Sequence, residues 1–169
     1  MEELLHYRTH ENDALDARYR AFLARLTDPL VERLPPGAEG LDFGCGPGPA
    51  LAKMLEERGF RVALYDPFFT PDTSVLDRTY DFVTCTEVIE HFHYPAEEFA
   101  RLAGLLRSGG WLGVMTEMPE EDPDLPRWRY ARDPTHVCFY RPETMVWIAE
   151  TYGWRLELPR PDVALFQAQ

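Results

Sequence analysis

Cysteine, basic charge and long apolar runs are all scarce in this sequence of 169 residues. The three cysteines, Cys45, Cys85 and Cys138, are widely spaced and form no Cys-x-x-Cys pair, which argues against a disulfide framework and a zinc knuckle. No apolar stretch approaches the roughly 20 residues that a membrane-spanning helix needs. Residues 1–6 carry acid where a secretory signal would carry basic residues, so we expect a cytoplasmic protein with reduced thiols.

Acidic residues outnumber basic ones by 29 to 17, which gives a formal net charge of -12. A field of that sign repels phosphate backbones, so nucleic acid is not expected as a substrate. Four arginines cluster within residues 127–141 and would suit an anionic small molecule, although nearby acidic residues dilute the patch. The length and the 45% hydrophobic content predict one domain over residues 1–169.

The hydrophobic pattern alternates between helix and strand along the chain. Apolar residues at steps of three and four predict a first helix over residues 13–34, with Asn12 as its N-cap. The pattern then predicts a strand over 40–43, a helix between Pro49 and Gly59, a strand over 61–65 ending at Asp66, a strand over 81–85, a helix over 95–106 that Gly109-Gly110 terminates, a strand over 111–116, a helix over 142–152 and strands over 154–158 and 163–167.

This alternation predicts an α/β fold: a Rossmann-like, open, mostly parallel twisted sheet with helices on both faces and a C-terminal antiparallel strand pair. Residues 1–35 form an N-terminal helical cap in this prediction, and residues 36–169 form the core with an irregular excursion over 117–139. Only fourteen residues separate Asp66 from the strand that starts at Asp81, too few for a full helix and strand. The third strand and helix region is therefore predicted to be shortened.

A glycine-rich turn follows the first predicted strand, in the segment Asp42-Phe-Gly44-Cys-Gly46-Pro-Gly48. Glycines let the backbone turn sharply and approach a ligand closely, while the following helix offers free N–H groups. Glycine spacing of two and two differs from the dinucleotide pattern. Asp66 lies 22 residues after Gly44, where a carboxylate can accept hydrogen bonds from ribose hydroxyls. An adenosine-containing ligand suits both features, and a tight strand-helix junction without a ligand is the alternative.

Four segments together resemble the class I S-adenosylmethionine-dependent methyltransferases, from about Pro36 to the C-terminus. They are the glycine-rich turn, Asp66 as the ribose acid, residues 80–91 (YDFVTCTEVIEH) and residues 106–113 (LRSGGWLG). The resemblance implies an enzyme that uses S-adenosyl-L-methionine to methylate a small-molecule acceptor. In the family, the end of a third strand contacts the adenine. In this chain a loop is expected in place of that strand.

The resemblance and the glycine-rich turn together predict which residues bind the cofactor. Thr86 and Glu87 resemble residues that line the methionine end, where a carboxylate suits a cationic ammonium, and a solvated strand edge is the alternative. Pro67 is expected to cover the adenine face. The predicted cofactor-binding residues are Asp42, Gly44, Cys45, Gly46, Gly48, Asp66, Pro67, Thr86 and Glu87.

Two histidines are the candidates for chemistry at the acceptor. Methyl transfer is an in-line displacement in which positioning supplies much of the acceleration, and a hydroxyl or thiol acceptor also benefits from a base. His91 follows the third predicted strand and His136 lies in the excursion; for each, a purely structural role is the alternative.

Tyr7 and His10 would belong to a lid or to a packing helix. No metal is predicted, because His6, His10, His91 and His93 lack diagnostic partners.

Two other functions are compatible with the glycine-rich turn. A nicotinamide-dependent oxidoreductase would use the same turn, but the glycine spacing and the terminal antiparallel pair speak against it. A non-catalytic adenosyl-binding or interaction module gains weight from the shortened region after Asp66.

Overall fold

A six-stranded sheet forms the centre of the computed structural model, which describes residues 15–119, 121 and 123–169. The strand order is β2-β1-β3-β4-β6-β5; the first four strands are parallel, and β6 pairs antiparallel with both β4 and β5. The predicted α/β sheet with its C-terminal antiparallel pair is thus confirmed. The strands are β1 (Glu39–Phe43), β2 (Arg61–Tyr65), β3 (Tyr80–Thr86), β4 (Leu106–Met115), β5 (Arg155–Arg160) and β6 (Val163–Gln167).

In the described part of the chain, four α-helices cover the two faces of the sheet: α1 (Ala17–Val31), α2 (Ala50–Glu56), α3 (Pro95–Gly104) and α4 (Pro142–Tyr152). Side chains alternate along each strand, so β4 directs Trp111 and Met115 to the core with α1 and α2, and Leu112 and Val114 to the core with α3 and α4. Both faces are buried, as expected for parallel strands. Among the described residues, none of the helices has the length and apolar character needed to cross a membrane.

The first helix is shorter than predicted. It begins at Ala17 instead of residue 13, because the Asp16 side chain caps it by accepting a hydrogen bond from the Arg18 N–H at 2.7 Å. It ends at Val31, three residues before Leu34. Asn12, the predicted N-cap, lies outside the described residues.

Gly109-Gly110 lies inside β4, whereas the sequence pattern placed it between a helix and a strand. The pairing of β3 with β4 shifts register between Tyr80 and Phe82, which leaves room for extra residues in β4. The Gly109 N–H donates to the Ala168 carbonyl, and the Ala168 N–H donates to the Gly110 carbonyl. These bonds keep the glycines in the sheet, so the helix ends at Gly104 and the strand starts at Leu106.

Pro159 lies within β5, although the strand was predicted to end at residue 158. The strand runs to Arg160 with a register shift between Glu157 and Arg160. β5 is the edge of the sheet, where a proline's missing N–H costs no ladder bond.

The chain between β2 and β3 contains a short 3-10 helix, Thr73–Asp77, and no strand. The shortened region is confirmed. It makes β2 the other edge strand of the described sheet, beside β1.

Gly40 and Gly104 offer a paired test of this packing. A Cβ at Gly40 would lie 2.1 Å from the buried Phe82 ring, whereas Gly104 has open space. We expect Gly40→Ala to lower the free energy of unfolding by about 1–3 kcal/mol through overpacking. Gly104→Ala, at the end of α3, should leave stability unchanged or raise it by about 0.5–1 kcal/mol. Urea unfolding measures both, and equal stabilities for the two variants would contradict this packing.

Candidate active site

The site lies where the strand order reverses. β1 has β2 on one side and β3 on the other, and ligands of open α/β sheets bind beside such a point, outside the carboxyl ends of the strands. A cavity of about 840 Å³ opens there. All eleven residues predicted from the sequence line it: Asp42, Gly44, Cys45, Gly46, Gly48, Asp66, Pro67, Thr86, Glu87, His91 and His136.

The glycine-rich turn packs tightly against the chain that leaves β3. Gly44 has a φ of 81°, and a Cβ there would lie 2.4 Å from a Val88 methyl group. The Gly44 and Cys45 N–H groups both donate to the Tyr65 carbonyl at the end of β2, at 2.7 and 3.1 Å. Glycine at position 44 is therefore required by a neighbouring side chain as well as by the turn.

Asp66 joins the turns that follow β1 and β2. One carboxylate oxygen accepts from the Gly46 N–H at 3.0 Å, and the other accepts from the Phe68 and Phe69 N–H groups at 2.8 and 3.0 Å. A carboxylate offers about four lone-pair positions, so three are occupied by the backbone. Ribose binding by Asp66 stays a prediction, and the structure adds a role in shaping the loops.

Asp42 lines the cavity but is buried, with 4% of its surface exposed. The pKa of its carboxyl is raised to about 6, chiefly by burial and also by the charge of Asp66, while the hydrogen bond from the Thr84 hydroxyl opposes the rise. That bond is 2.8 Å long and joins β1 to β3. Negative charge at this position is therefore costly until a cation or a donor offsets it.

Two polar residues at the end of β3 are unusual: Thr86, the last residue of the strand, in its hydrogen bonding, and Glu87, the next residue, in its backbone conformation. The Thr86 hydroxyl oxygen is buried and has no hydrogen-bond partner among the described residues. Glu87 adopts a φ of 53°, a left-handed conformation that non-glycine residues rarely adopt outside functional sites. Its pKa is raised to about 8, chiefly by burial and secondly by Glu90.

The rings of His91 and His136 contact each other edge to face, with ring centroids 4.8 Å apart. The His91 Nδ1 lies 2.9 Å from the Thr135 carbonyl oxygen, and the His136 Nδ1 lies 2.8 Å from the Tyr130 carbonyl oxygen. Because a carbonyl oxygen only accepts, each Nδ1 carries the proton and Nε2 is the basic nitrogen of the neutral ring. Burial lowers the pKa of His91, which keeps it neutral at neutral pH.

Glu90 joins these histidines in a group whose potential ligand atoms lie within 4.8 Å of one another. From the sequence, the histidines considered as metal ligands were His6 and His10, which lie outside the described residues, together with His91 and His93. Both Glu90 carboxylate oxygens already accept hydrogen bonds from hydroxyl groups. The expectation that the protein needs no metal stays a prediction.

Several cavity residues were not predicted as site residues. Tyr19 and Phe22 of α1 line the cavity, although the pattern indicated only an apolar packing face. Burial, with Asp42, raises the pKa of Tyr19 to about 12. Tyr130 also lines the cavity, and no local signal in the excursion distinguishes it from its aromatic neighbours. Of the predicted lid, Tyr7 and His10 lie outside the described residues.

Comparison with known proteins supplies the family. The model of a methyltransferase domain family matches residues 15–158. The chain belongs to this methyltransferase family. With the Rossmann-like fold and the glycine-rich turn, this membership confirms the class I S-adenosylmethionine-dependent methyltransferase identified from the motifs, and S-adenosylmethionine is its cofactor. The oxidoreductase alternative is thereby set aside.

Solved structures share this methyltransferase fold. An S-adenosylmethionine-dependent methyltransferase from Archaeoglobus fulgidus is 21% identical, with a TM-score of 0.67 over 89% of this chain and 76% of that one. The 1,6-didemethyltoxoflavin-N1-methyltransferase of Burkholderia thailandensis is 16% identical, with a TM-score of 0.63 over 98% and 87%. An O-methyltransferase family protein from the same organism is 18% identical, with a TM-score of 0.59 over 92% and 61%. No curated protein matches the sequence significantly.

The raised pKa of Glu87 makes the stability of the methyltransferase depend on pH. Between its ordinary value of 4.5 and about 8, the folded carboxyl keeps a proton that the unfolded chain loses. Stability should therefore fall as pH rises through this window. We expect Glu87→Gln to flatten that fall in urea unfolding between pH 5 and 8.5. Glu143→Gln, at an exposed position of α4, is the control and should keep the native slope; a native slope in Glu87→Gln would refute the assignment.

Proposed function

We propose that this methyltransferase transfers a methyl group from S-adenosylmethionine to a small-molecule acceptor by in-line displacement, in the cavity at the ends of β1, β2 and β3. The observation that carries the proposal is the convergence of all eleven candidate residues on that one cavity. Its volume of about 840 Å³ lies in the range of small-molecule sites. The formal charge of -12 supports a small acceptor over nucleic acid.

In this proposal the cofactor lies across the switch point. Asp66 and Pro67 hold the adenosine end, beside the turn formed by Gly44, Gly46 and Gly48. Several observations favour this placement: the bare glycine backbone admits close approach, and Asp66 retains one acceptor position. Asp42 and Cys45 then form the floor under the ribose and the sulfonium.

The methionine end lies beside Thr86 and Glu87 in the same placement. The buried Thr86 hydroxyl lacks a protein partner among the described residues, so a ligand group that reaches it would satisfy it. The Glu87 carboxyl suits the cofactor's ammonium, because a cation offsets the cost of ionising a buried acid. Bound S-adenosylmethionine supplies an activated methyl group on a positively charged sulfur.

His91 and His136 are the bases for the acceptor in this proposal. Both direct Nδ1–H at backbone carbonyls, which leaves each neutral ring with a basic Nε2. Both rings line the cavity. An acceptor hydroxyl beside them would pass its proton to Nε2 as its oxygen attacks the methyl carbon.

We also propose a cytoplasmic location. The three cysteines are unpaired, two of them buried, as expected for a protein folded in a reducing compartment.

Calorimetric titration with S-adenosylhomocysteine tests the cofactor site without knowledge of the acceptor. Asp66→Ala should weaken binding at least about tenfold, because it removes the ribose acceptor and three bonds that shape the loops. Asp77→Ala, in the same connection but outside the cavity, is the matched control and should bind normally. Native affinity in Asp66→Ala would sink the proposed placement.

Substitution of the histidines tests their chemical role once an acceptor is found by screening. His91→Gln or His136→Gln should lower kcat by about 10²–10⁴ for a hydroxyl acceptor while cofactor affinity stays within about twofold. If His91 is the base, its lowered pKa should place the acid limb of the kcat profile below the ordinary histidine value, since the base acts when unprotonated. Unchanged kcat in both variants would leave positioning alone as the source of rate.

A further inference from the structure

Glu90 is fully buried in the short 3-10 turn Ile89–His91, and it does not line the cavity. Its carboxylate accepts a hydrogen bond from the Tyr130 hydroxyl at 2.5 Å and another from the Thr116 hydroxyl at 3.1 Å. Burying a carboxylate is costly unless it is well paired, so we expect both hydrogen bonds to be maintained in the folded protein. Glu90 has no direct contact with the cavity and acts through these two partners.

Tyr130 is the partner that reaches a candidate base. Its carbonyl oxygen accepts from the His136 Nδ1–H at 2.8 Å, and its ring lies 4.2 Å from the His136 ring, centroid to centroid. One residue therefore fixes both the tautomer and the ring orientation of His136. The Tyr130 hydroxyl, anchored on Glu90, fixes the position of that residue in turn.

The main chain of Glu90 secures the other side of His136. Its carbonyl oxygen accepts from the Val137 and Cys138 N–H groups at 2.9 and 3.0 Å. The neighbouring His91 donates from Nδ1 to the Thr135 carbonyl. Bonds from the 3-10 turn thus surround His136 in the excursion and bring the two imidazoles together.

We infer that Glu90 is a positioning residue, whose carboxylate holds Tyr130 and through it sets the orientation of His136 beside His91. The inference deepens the proposed function, since it concerns the residue proposed to act on the acceptor. Thr116, directly after β4, contacts both partners: its hydroxyl donates to the Glu90 carboxylate at 3.1 Å and lies 2.9 Å from the Tyr130 hydroxyl, which is farther than the 2.5 Å between Tyr130 and Glu90.

The decisive variant is Tyr130→Phe, which removes the hydroxyl anchor but keeps the ring, the carbonyl and the Glu90 charge. The groups that face His136 are Asp133, whose carboxylate oxygen lies 4.0 Å from Nε2, and Glu90, whose carboxylate lies within 4.8 Å of a ring nitrogen, together with His91 and Tyr130. NMR titration of the histidine ring protons reads its environment directly, with the His136 signal assigned by its loss in His136→Gln. We expect Tyr130→Phe to shift the His136 titration midpoint by about half a pH unit or more.

Thr116→Val is the comparison variant, because it removes the Thr116 contact with the Tyr130 hydroxyl and leaves the shorter bond from Tyr130 to Glu90 in place. It should move the His136 midpoint much less than Tyr130→Phe does, and both variants should bind S-adenosylhomocysteine within about twofold of the native chain. Glu90→Gln should also shift the midpoint, but it removes a charge that lies within 4.8 Å of a His136 ring nitrogen as well as the Tyr130 anchor. The comparison of Tyr130→Phe with Thr116→Val therefore decides the inference.

An unchanged His136 titration in Tyr130→Phe would overturn the inference. Loss of S-adenosylhomocysteine binding in Tyr130→Phe would also overturn it, because the hydroxyl would then support the whole site. Failure of the native chain to bind S-adenosylhomocysteine would instead refute the proposed function, and the NMR comparison would still report on Glu90.

Discussion

The site depends on the hydrogen bonds that the Asp66 carboxylate accepts. Its three hydrogen bonds to backbone N–H groups join the glycine-rich turn after β1 to the turn after β2. The Tyr65 carbonyl adds two more bonds between the same loops. With no strand beyond β2 in the described sheet, these contacts replace neighbouring structure in fixing one wall of the cavity. A single side chain thereby couples the shape of the turn to the position of Phe68 and Phe69.

Acidic groups dominate the cavity floor, and their burial explains why a cationic cofactor suits it. Asp42 and Glu87 both have raised pKa values because burial disfavours their ionised forms. A sulfonium and an ammonium placed beside them would recover part of that cost. Methyl transfer removes the sulfonium charge, so on the proposed function the product is held less strongly than the cofactor. Glu90 is also buried but does not line the cavity, and hydroxyl groups satisfy its carboxylate instead of a ligand.

Local backbone rules made it predictable that the glycine-rich turn and Asp66 lie together at one cavity. The glycine spacing and the position of Asp66 at a strand end depend on neighbouring residues, and parallel strands bring their carboxyl ends to one edge. The connection from Glu90 to Tyr130 spans forty residues and depends on tertiary packing, so no sequence period indicates it. For the same reason the retention of Gly109-Gly110 inside β4 was missed, since it depends on pairing with Ala168. Asp16 could have been recognised as an N-cap from the sequence, but the apolar pattern extends further toward the N-terminus and led to an earlier predicted start of the helix.

A crystal structure of the chain with S-adenosylhomocysteine tests the central claim most directly. The account predicts the ribose beside Asp66, the amino-acid end beside Thr86 and Glu87, and the sulfur facing the side of the cavity that His91 and His136 line. Density for the ligand at another edge of the sheet, or in this cavity with the adenosine at the histidines, would contradict it.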